Sequence, residues 1–356
     1  MLKKEFNINS NFRLNKKYYT QKELIVFCKN QNSESKEVYA FIIDWLSNKK
    51  TISVKTSGST GHPKAYSVKK SKMICSAIIT GKFFNLKEGD KALLCLPVKF
   101  IAGKMMVVRA IVLGLDLFIK KPCDNPLNNL KQKFDFAALT AHQLKNSIKN
   151  SNKVKCLIVG GSFVSSSLKE KIHNKTSGIY ETYGMTETLS HVAVKNLSIG
   201  QEEFNALDGI KFRTRNRILE INASYLSKNY IITNDIIELI SETKFIWLGR
   251  NDFVINTGGI KISPEIVEGK LACFYLENFI ICGIPDKELG EKIILVFEKS
   301  IPSNYALYFE KLEKYEKPKQ IFCLKYFKRI NGKIDRKSIT NKILKLNNEK
   351  NKQILE

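Results

Sequence analysis

The sequence predicts an α/β fold: a large N-terminal domain with mostly parallel sheets plus a small β-rich subdomain, and a small α+β C-terminal domain. Three observations carry this. Between residues 91 and 184 short apolar runs alternate with stretches of helical periodicity, the pattern of strands joined by crossover helices. Near residue 205 the texture changes to short strands separated by turn residues, as in IKFRTRNRILEINA, YIITNDIIELI and KFIWLGRNDFVINTGGIKI. After Arg250 helix and strand patterns mix again for about a hundred residues. With 356 residues the chain is long enough for two domains, each with its own core. The expected domains are 1–249 and 250–356, meeting at Gly249–Asp252.

In order along the chain, KELIVFCKN and EVYAFIIDWLSN space their apolar residues as helices do. TISVKTSGSTGHPKAYSV reads as strand, glycine-rich turn and strand. SKMICSAIITGKFFNL reads as a helix closed by Gly89-Asp90, and KALLCLPV as a buried strand. The stretch from Gly103 to Leu113 is helical in pattern and LDLFIK is a strand. FAALTA, VKCLIVGGS and GIYETYG are strands with helices between them. Past Arg250 the reading is a helix at SPEIVEGKLAC, strands at NFIICGIP and KIILVFE, a further helix, and a final strand–turn segment, KYFKRINGKIDRKSI.

The charge is strongly positive: 59 Lys and Arg against 34 Asp and Glu, net +25. Such a balance can draw in anions. The lysines are scattered, however, with no basic block or recognition motif that would mark a nucleic-acid binder, so the excess reads as compositional drift. None of the eight cysteines stands in a C-x-x-C pair; they read as reduced, buried small hydrophobes. The four histidines lack metal-ligand spacing. MLKKEFNINSNF has no apolar core for a signal peptide. No apolar run reaches the roughly 18 residues of a membrane helix. A cytoplasmic location, with no membrane insertion, is the expectation; the sequence gives no sign of oligomeric state.

Four motifs carry chemistry. Thr56-Ser57-Gly58-Ser59-Thr60-Gly61-His62-Pro63-Lys64 sets two glycines and four hydroxyls ahead of a lysine. Glycines let backbone N–H groups approach phosphate, hydroxyls add donors, and lysine adds a point charge. It is not a Walker A loop, since Pro63 rather than Gly precedes the lysine. Tyr180-Glu181-Thr182-Tyr183-Gly184-Met185-Thr186-Glu187-Thr188 offers a ring for a base, a hydroxyl for a phosphate and a carboxylate for Mg²⁺. Trp247–Asp252 followed by Asn256-Thr257-Gly258-Gly259-Ile260-Lys261 supplies Arg250 and paired glycines, with Asp235 upstream as an acceptor for ribose hydroxyls. Asn331-Gly332-Lys333-Ile334-Asp335-Arg336 is a tight-turn signal that presents Lys333. Each alone also fits an ordinary polar turn.

Taken in this order the motifs resemble those of the acyl-adenylate-forming superfamily: acyl-CoA synthetases, peptide-synthetase adenylation domains and luciferases. The resemblance covers roughly residues 51 to 340 and includes IPDKELGEK and Gly160-Gly161-Ser162, similar to the family's acyl-pocket turn. It implies an ATP-dependent acid–thiol ligase that makes an acyl-AMP from ATP and a carboxylic acid, with Mg²⁺, then passes the acyl group to coenzyme A. Thr56, Ser57, Gly58, Ser59, Thr60, Gly61 and Lys64 would hold phosphates. Tyr183 and Gly184 would meet adenine, Thr186 the α-phosphate, and Glu187 the metal. Asp235 and Arg250 would take the ribose and Asp252 would be the hinge. Lys333 would be catalytic. Gly160, Gly161, Ser162, Gly258, Gly259, Lys261 and His191 would line the acyl and CoA pocket.

The chain departs from the family in three places. Only about fifty residues precede the phosphate loop, so an N-terminal subdomain is expected to be reduced or absent. Thr233-Asn234-Asp235 stands for the usual Thr-Gly-Asp. Pro97-Val98-Lys99-Phe100 stands where many members carry an aromatic–His pair. The segments LPVKFIAGKMMVVRAIVLGLDLF and YGMTETLSHVAVK most resemble short bacterial o-succinylbenzoate–CoA ligases of menaquinone biosynthesis. That acid is a dicarboxylate, for which Lys99, Lys104, Arg109 and His191 are candidate partners. The alternatives are another acyl- or aryl-CoA ligase and a non-catalytic nucleotide-binding relative; Lys64, Glu187 and Lys333 argue against the last.

Overall fold

A computed structural model describes residues 8–31, 35–55, 65–161, 164–275, 277–330 and 333–353; for residues 55, 166, 333 and 348–353 it describes the backbone alone. Strands β1 (Arg13–Leu14) and β2 (Lys17–Tyr18) lead into helices α1 (Gln21–Lys29) and α2 (Lys36–Leu46). A hairpin of β3 (Thr51–Lys55) and β4 (Ala65–Lys69) follows. Then come α3 (Lys70–Phe83), β5 (Lys91–Leu94), α4 (Ile101–Leu113), β6 (Asp116–Ile119), β7 (Phe134–Thr140), α5 (Ala141–Ser147), β8 (Val154–Gly160), α6 (Ser166–Ile172) and β9 (Gly178–Gly184). Strands β6, β5, β7, β8 and β9 lie side by side and parallel. This is the parallel sheet that the alternation predicts.

Neighbouring residues on these strands point into different cores. Leu94, Phe136, Ala138, Cys156 and Ile158 join one apolar cluster with Met73 and Ala77 of α3 and Met105 and Val108 of α4. Leu93, Ala137, Leu139, Leu157 and Val159 join another with Leu144 of α5 and Leu168 and Ile172 of α6. A strand covered on both faces needs no polar alternation, which is why these segments read as continuous apolar runs. Thr20 and Thr140 start α1 and α5 as capping boxes with Glu23 and Gln143.

The β-rich region is an extension of this sheet. After β9 the chain turns back as β10 (His191–Asn196), antiparallel to β9. It continues through β11 (Phe204–Ala206), β12 (Ile210–Arg215), β13 (Ile218–Ala223), β14 (Ile231–Ser241) and β15 (Lys244–Arg250). The result is a thirteen-stranded sheet in the order β12-β13-β14-β15-β11-β10-β9-β8-β7-β5-β6-β1-β2. The sequence reading missed β10 and β11, whose HVAVKN and FNA are too short to show a period.

A second sheet follows, built of β16 (Ile255–Thr257), β17 (Ile260–Ile262), β18 (Phe279–Asp286), β19 (Gly290–Glu298) and β20 (Gln320–Leu324), with α7 (Pro264–Leu271) after β17. Its two faces are again separate. Ile281, Ile293, Leu295 and Phe297 pack with Val267 and Leu271 of α7. Ile280, Cys282, Ile294 and Val296 pack with Ile339 and Ile343 of helix α8 (Arg336–Gln353).

Here the sequence reading needs correction. The KRINGKIDRKSI segment forms only a minimal hairpin, β21 (Arg329–Ile330) with β22 (Lys333–Ile334), and then α8. Asp335 caps that helix by accepting the Ser338 N–H at 3.1 Å. The helix expected between β19 and the end is a 3₁₀ turn, Tyr305–Lys311, and β20 pairs parallel to β19 beyond it. Helix α3 stops at Phe83, ahead of Gly89. Among the described residues no helix is long and apolar enough to cross a membrane.

Candidate functional site

The carboxyl ends of the parallel strands converge. Thr140 stands opposite Gly160, and Val159 opposite Glu181. In open α/β sheets ligands gather at this end, and the site residues expected on β8 and β9 lie there. Gly184 closes β9 where Ser190 and His191 cross it: an added Cβ would lie 2.4 Å from the Ser190 carbonyl oxygen and 2.7 Å from the His191 Cα. Only glycine admits that approach.

The turn from Met185 to Ser190 is tightly determined. The Thr188 hydroxyl accepts the Met185 N–H at 2.9 Å and is itself within 3.0 Å of the Met185 carbonyl and 2.8 Å of the Ser190 carbonyl. Leu189 has φ of 64°, and the Ser190 N–H reaches the Thr188 carbonyl at 2.7 Å. This is a three-residue γ-turn with a branched, buried side chain in a sparsely populated conformation. Strain of this kind persists only where the surroundings impose it. Thr186 and Glu187 are displayed on this turn, with Glu187 exposed.

Beside it runs a polar chain. The Tyr183 hydroxyl donates to Asp235 Oδ2 at 2.5 Å, and Trp247 Nε1 donates to Oδ1 at 3.2 Å. Asp235 is paired across β14 and β15 with Arg250, whose Nη1 lies 3.8 Å from Oδ1. Arg250 in turn donates from Nε and Nη2 to the two carboxylate oxygens of Asp252, at 3.1 and 3.3 Å. Burial, and next the Asp235 carboxylate, push the Tyr183 hydroxyl well above the usual tyrosine range, so it is a permanent donor. Its ring meets Phe204 and Phe245 edge-on, with centroids at 5.8 and 5.2 Å. Four residues expected around the nucleotide and hinge thus form one connected group; Trp247, which opens the third motif without a role assigned to it there, joins them.

A second group surrounds Arg109 of α4, which is 2% exposed. Its Nη2 donates to Ser190 Oγ at 2.5 Å and lies 3.5 Å from His191 Nδ1. Nη1 reaches the Met106 sulfur at 3.8 Å, and Nε has no hydrogen-bond partner. Among the described residues no carboxylate pairs with it. Burial lowers its pKa to about 10, against a smaller opposing effect of Tyr225. Burial, and next the Arg109 charge, hold His191 well below the usual histidine range, so its ring is neutral and faces Thr80 Oγ1 at 3.4 Å. Lys99 and Lys104 do not join this group. Lys99 is exposed over the Phe100 ring, and Lys104 lies 4.3 Å from the centre of the Phe41 ring on α2.

Gly160 ends β8 and Gly161 follows it at positive φ. Gly258 and Gly259, both at positive φ, form the two-residue turn between β16 and β17, with Lys261 exposed beside them. Thr56–Lys64 and Ser162 lie outside the described residues. Lys333 is described only as the start of β22. Among the described residues no cluster of three or more His, Cys, Asp or Glu is arranged to hold a metal.

The sequence profile of a family described as AMP-binding enzyme matches residues 54–224. A 2-succinylbenzoate–CoA ligase of Oceanobacillus iheyensis is 26% identical over 75% of this chain and 64% of its own. The chain therefore spans less than two thirds of that relative. The solved structure of an acyl-CoA synthetase (AMP-forming)/AMP-acid ligase II-like protein from Dyadobacter fermentans is 34% identical, covering 89% of this chain and 97% of its own, with a TM-score of 0.60. The o-succinylbenzoate coenzyme A synthetase of Bacillus subtilis, solved with ATP and magnesium ion, shares the fold at 18% identity and a TM-score of 0.72, over 90% of this chain and 82% of its own. With the 34% identical structure matched over nearly its whole length, the chain belongs to the AMP-binding enzyme family.

Proposed function

We propose that the protein is an ATP-dependent acid–thiol ligase that converts a carboxylic acid to its acyl-AMP, releasing pyrophosphate, and then passes the acyl group to coenzyme A. The acid is a dicarboxylate, with o-succinylbenzoate the leading candidate and menaquinone biosynthesis the setting. A carboxylate is a poor electrophile; joining it to AMP gives its carbon a good leaving group. Asp235 and Arg250 take the ribose, Tyr183 and Gly184 the adenine side, and Thr56–Lys64 the β- and γ-phosphates. Thr186 faces the α-phosphate. Glu187, an exposed single carboxylate, fits a magnesium ion that takes its other ligands from phosphate oxygens and water. Bound there, the ion would neutralise charge that develops on phosphate. Lys333 supplies a cation to the same oxygens, and its removal would cost about 10² to 10³ in rate.

Two further roles belong to this reading. The part from residue 250 onwards turns about Asp252 between half-reactions, and Gly258, Gly259 and Lys261 border the thiol route. Gly160, Gly161, Ser162 and His191 border the acid.

The observation that carries the choice of acid is Arg109. A buried guanidinium without a carboxylate partner is costly, and the cost is offset when the ligand brings the anion. A dicarboxylic acid would present one carboxylate for activation and the other to Arg109, while neutral His191 and Ser190 shape the pocket. The deciding measurement is pyrophosphate release with ATP, Mg²⁺ and a panel of mono- and dicarboxylic acids, for wild type and Lys333→Ala. Release with o-succinylbenzoate, lost in the variant and followed by thioester when CoA is added, is the expected result. Release only with a monocarboxylic acid would keep the chemistry and overturn the acid; no release with any acid would overturn the activity.

A further inference from the structure

We infer that Tyr66 is a positioning residue for the Met185–Ser190 turn and, through it, for the nucleotide and Mg²⁺ contacts proposed for Thr186 and Glu187. This rests on the nucleotide reading above. Strands β3 and β4 form a two-stranded sheet of their own, apart from the thirteen-stranded one. Such a hairpin is marginal in isolation and takes its place from what it packs against. Ile52, Val54 and Val68 anchor it in the large core. Tyr66, opposite Val54, adds a directed tie: its hydroxyl donates to the Thr186 carbonyl oxygen at 2.8 Å, across 120 residues of sequence.

That oxygen also accepts the Leu189 N–H at 3.1 Å. Both of its lone-pair directions are thus used, one by the turn itself and one by Tyr66. The peptide linking Thr186 to Glu187 is held from within the turn and from the hairpin at once. Burial, and next the nearby Glu187 carboxylate, raise the Tyr66 pKa to about 12. The hydroxyl therefore keeps its proton at neutral pH and remains a donor. Tyr66 thus ties strand β4, two residues past Lys64 in the sequence, to the turn proposed to meet the α-phosphate and metal. Neither of the motifs that suggested the site contains it.

The test is Tyr66→Phe, which removes one oxygen and keeps the ring. In ligand-free protein, hydrogen exchange of the Glu187–Ser190 amides should quicken about five- to tenfold, the size that one hydrogen bond carries. By calorimetry the Kd for Mg·ATP should rise about five- to tenfold. KM for ATP should rise with it, kcat and KM for the acid should stay within about twofold, and Tm should be nearly unchanged. Tyr66→Leu, which also removes the ring, should lower Tm as well. Unchanged exchange in the Phe variant would overturn the positioning role whatever the protein binds. Quickened exchange with an unchanged Mg·ATP Kd would overturn the link to the nucleotide. If the wild type bound no Mg·ATP, the nucleotide reading would fall and that link with it, while the exchange result would still decide the tie itself.

Discussion

Arg109 is buried and Arg336 half-buried, and their surroundings are opposite. Arg336, the first residue of α8, donates to the Ile281 carbonyl at 3.0 Å and to the Glu268 carboxylate, and lies over the Phe253 ring. Burial alone would lower its pKa, yet Glu268 and Glu265 together raise it. Arg109 has a hydroxyl, a sulfur and a neutral imidazole around it, and its pKa is lowered. The first is a finished structural joint that fastens α8 to α7 and β18. The second is a cation kept in a low-dielectric place with no counter-charge among the described residues. On the proposed reading one arginine serves the fold and the other a ligand, and the acid beside Arg336 is what separates them.

The comparison can be broken most forcefully at Arg336. Arg336→Met leaves Glu268 beside Glu265, and should lower unfolding free energy by about 3–5 kcal/mol, measured by urea denaturation. Arg109→Met should do the reverse: stability within about 1 kcal/mol of wild type or higher, with kcat/KM for a dicarboxylic acid down by at least about 10². A strongly destabilised Arg109 variant would put it in the same class as Arg336 and undo the distinction.

Arg329 sharpens the scale between them. It makes a two-pronged contact with Glu298, which also accepts from Asn278 and the Phe327 N–H, but its own side chain is 35% exposed. Glu298→Gln should cost about 2 kcal/mol. The Arg329 hydrogen bonds lower the Glu298 pKa to about 2, from an ordinary value of 4.5. Its contribution is therefore complete above about pH 4.5 and is lost as pH falls towards 2. The smallest effect belongs to His191. Its folded pKa lies well below 6.5, so only the unfolded chain takes up the proton and stability declines as pH drops below about 6.5. His191→Gln should flatten that part of a Tm-against-pH curve.

The two halves of the chain also differ in how openly their sequences speak. The parallel strands announce themselves because both faces are buried and the runs are apolar throughout. Helix α8 does not: only Ile339 and Ile343 of its first turns are fully buried, too thin a stripe to outweigh the Asn-Gly turn signal just before it. Among site residues, the glycine-and-hydroxyl motifs stand out by composition alone. Ser190 and Tyr66 do not, since each acquires its role from a partner across the fold: Arg109 and Thr186. No local pattern encodes a contact spanning 81 or 120 residues. The β-rich region was readable as hairpins, but its continuity with the parallel sheet depends on β10 and β11, which are too short to be seen.

The Trp247–Asp235 contact has an optical consequence. The chain has only two tryptophans. Trp45 is 2% exposed in the core, where its emission should be blue and indifferent to ligands. Trp247 is half-buried, and its indole N–H is bonded to the carboxylate proposed to take the ribose. A nucleotide that competes for that carboxylate would alter the indole's electrostatic surroundings, so the protein carries its own fluorescent reporter for the nucleotide site, and Trp45→Phe would leave that signal on an almost dark background.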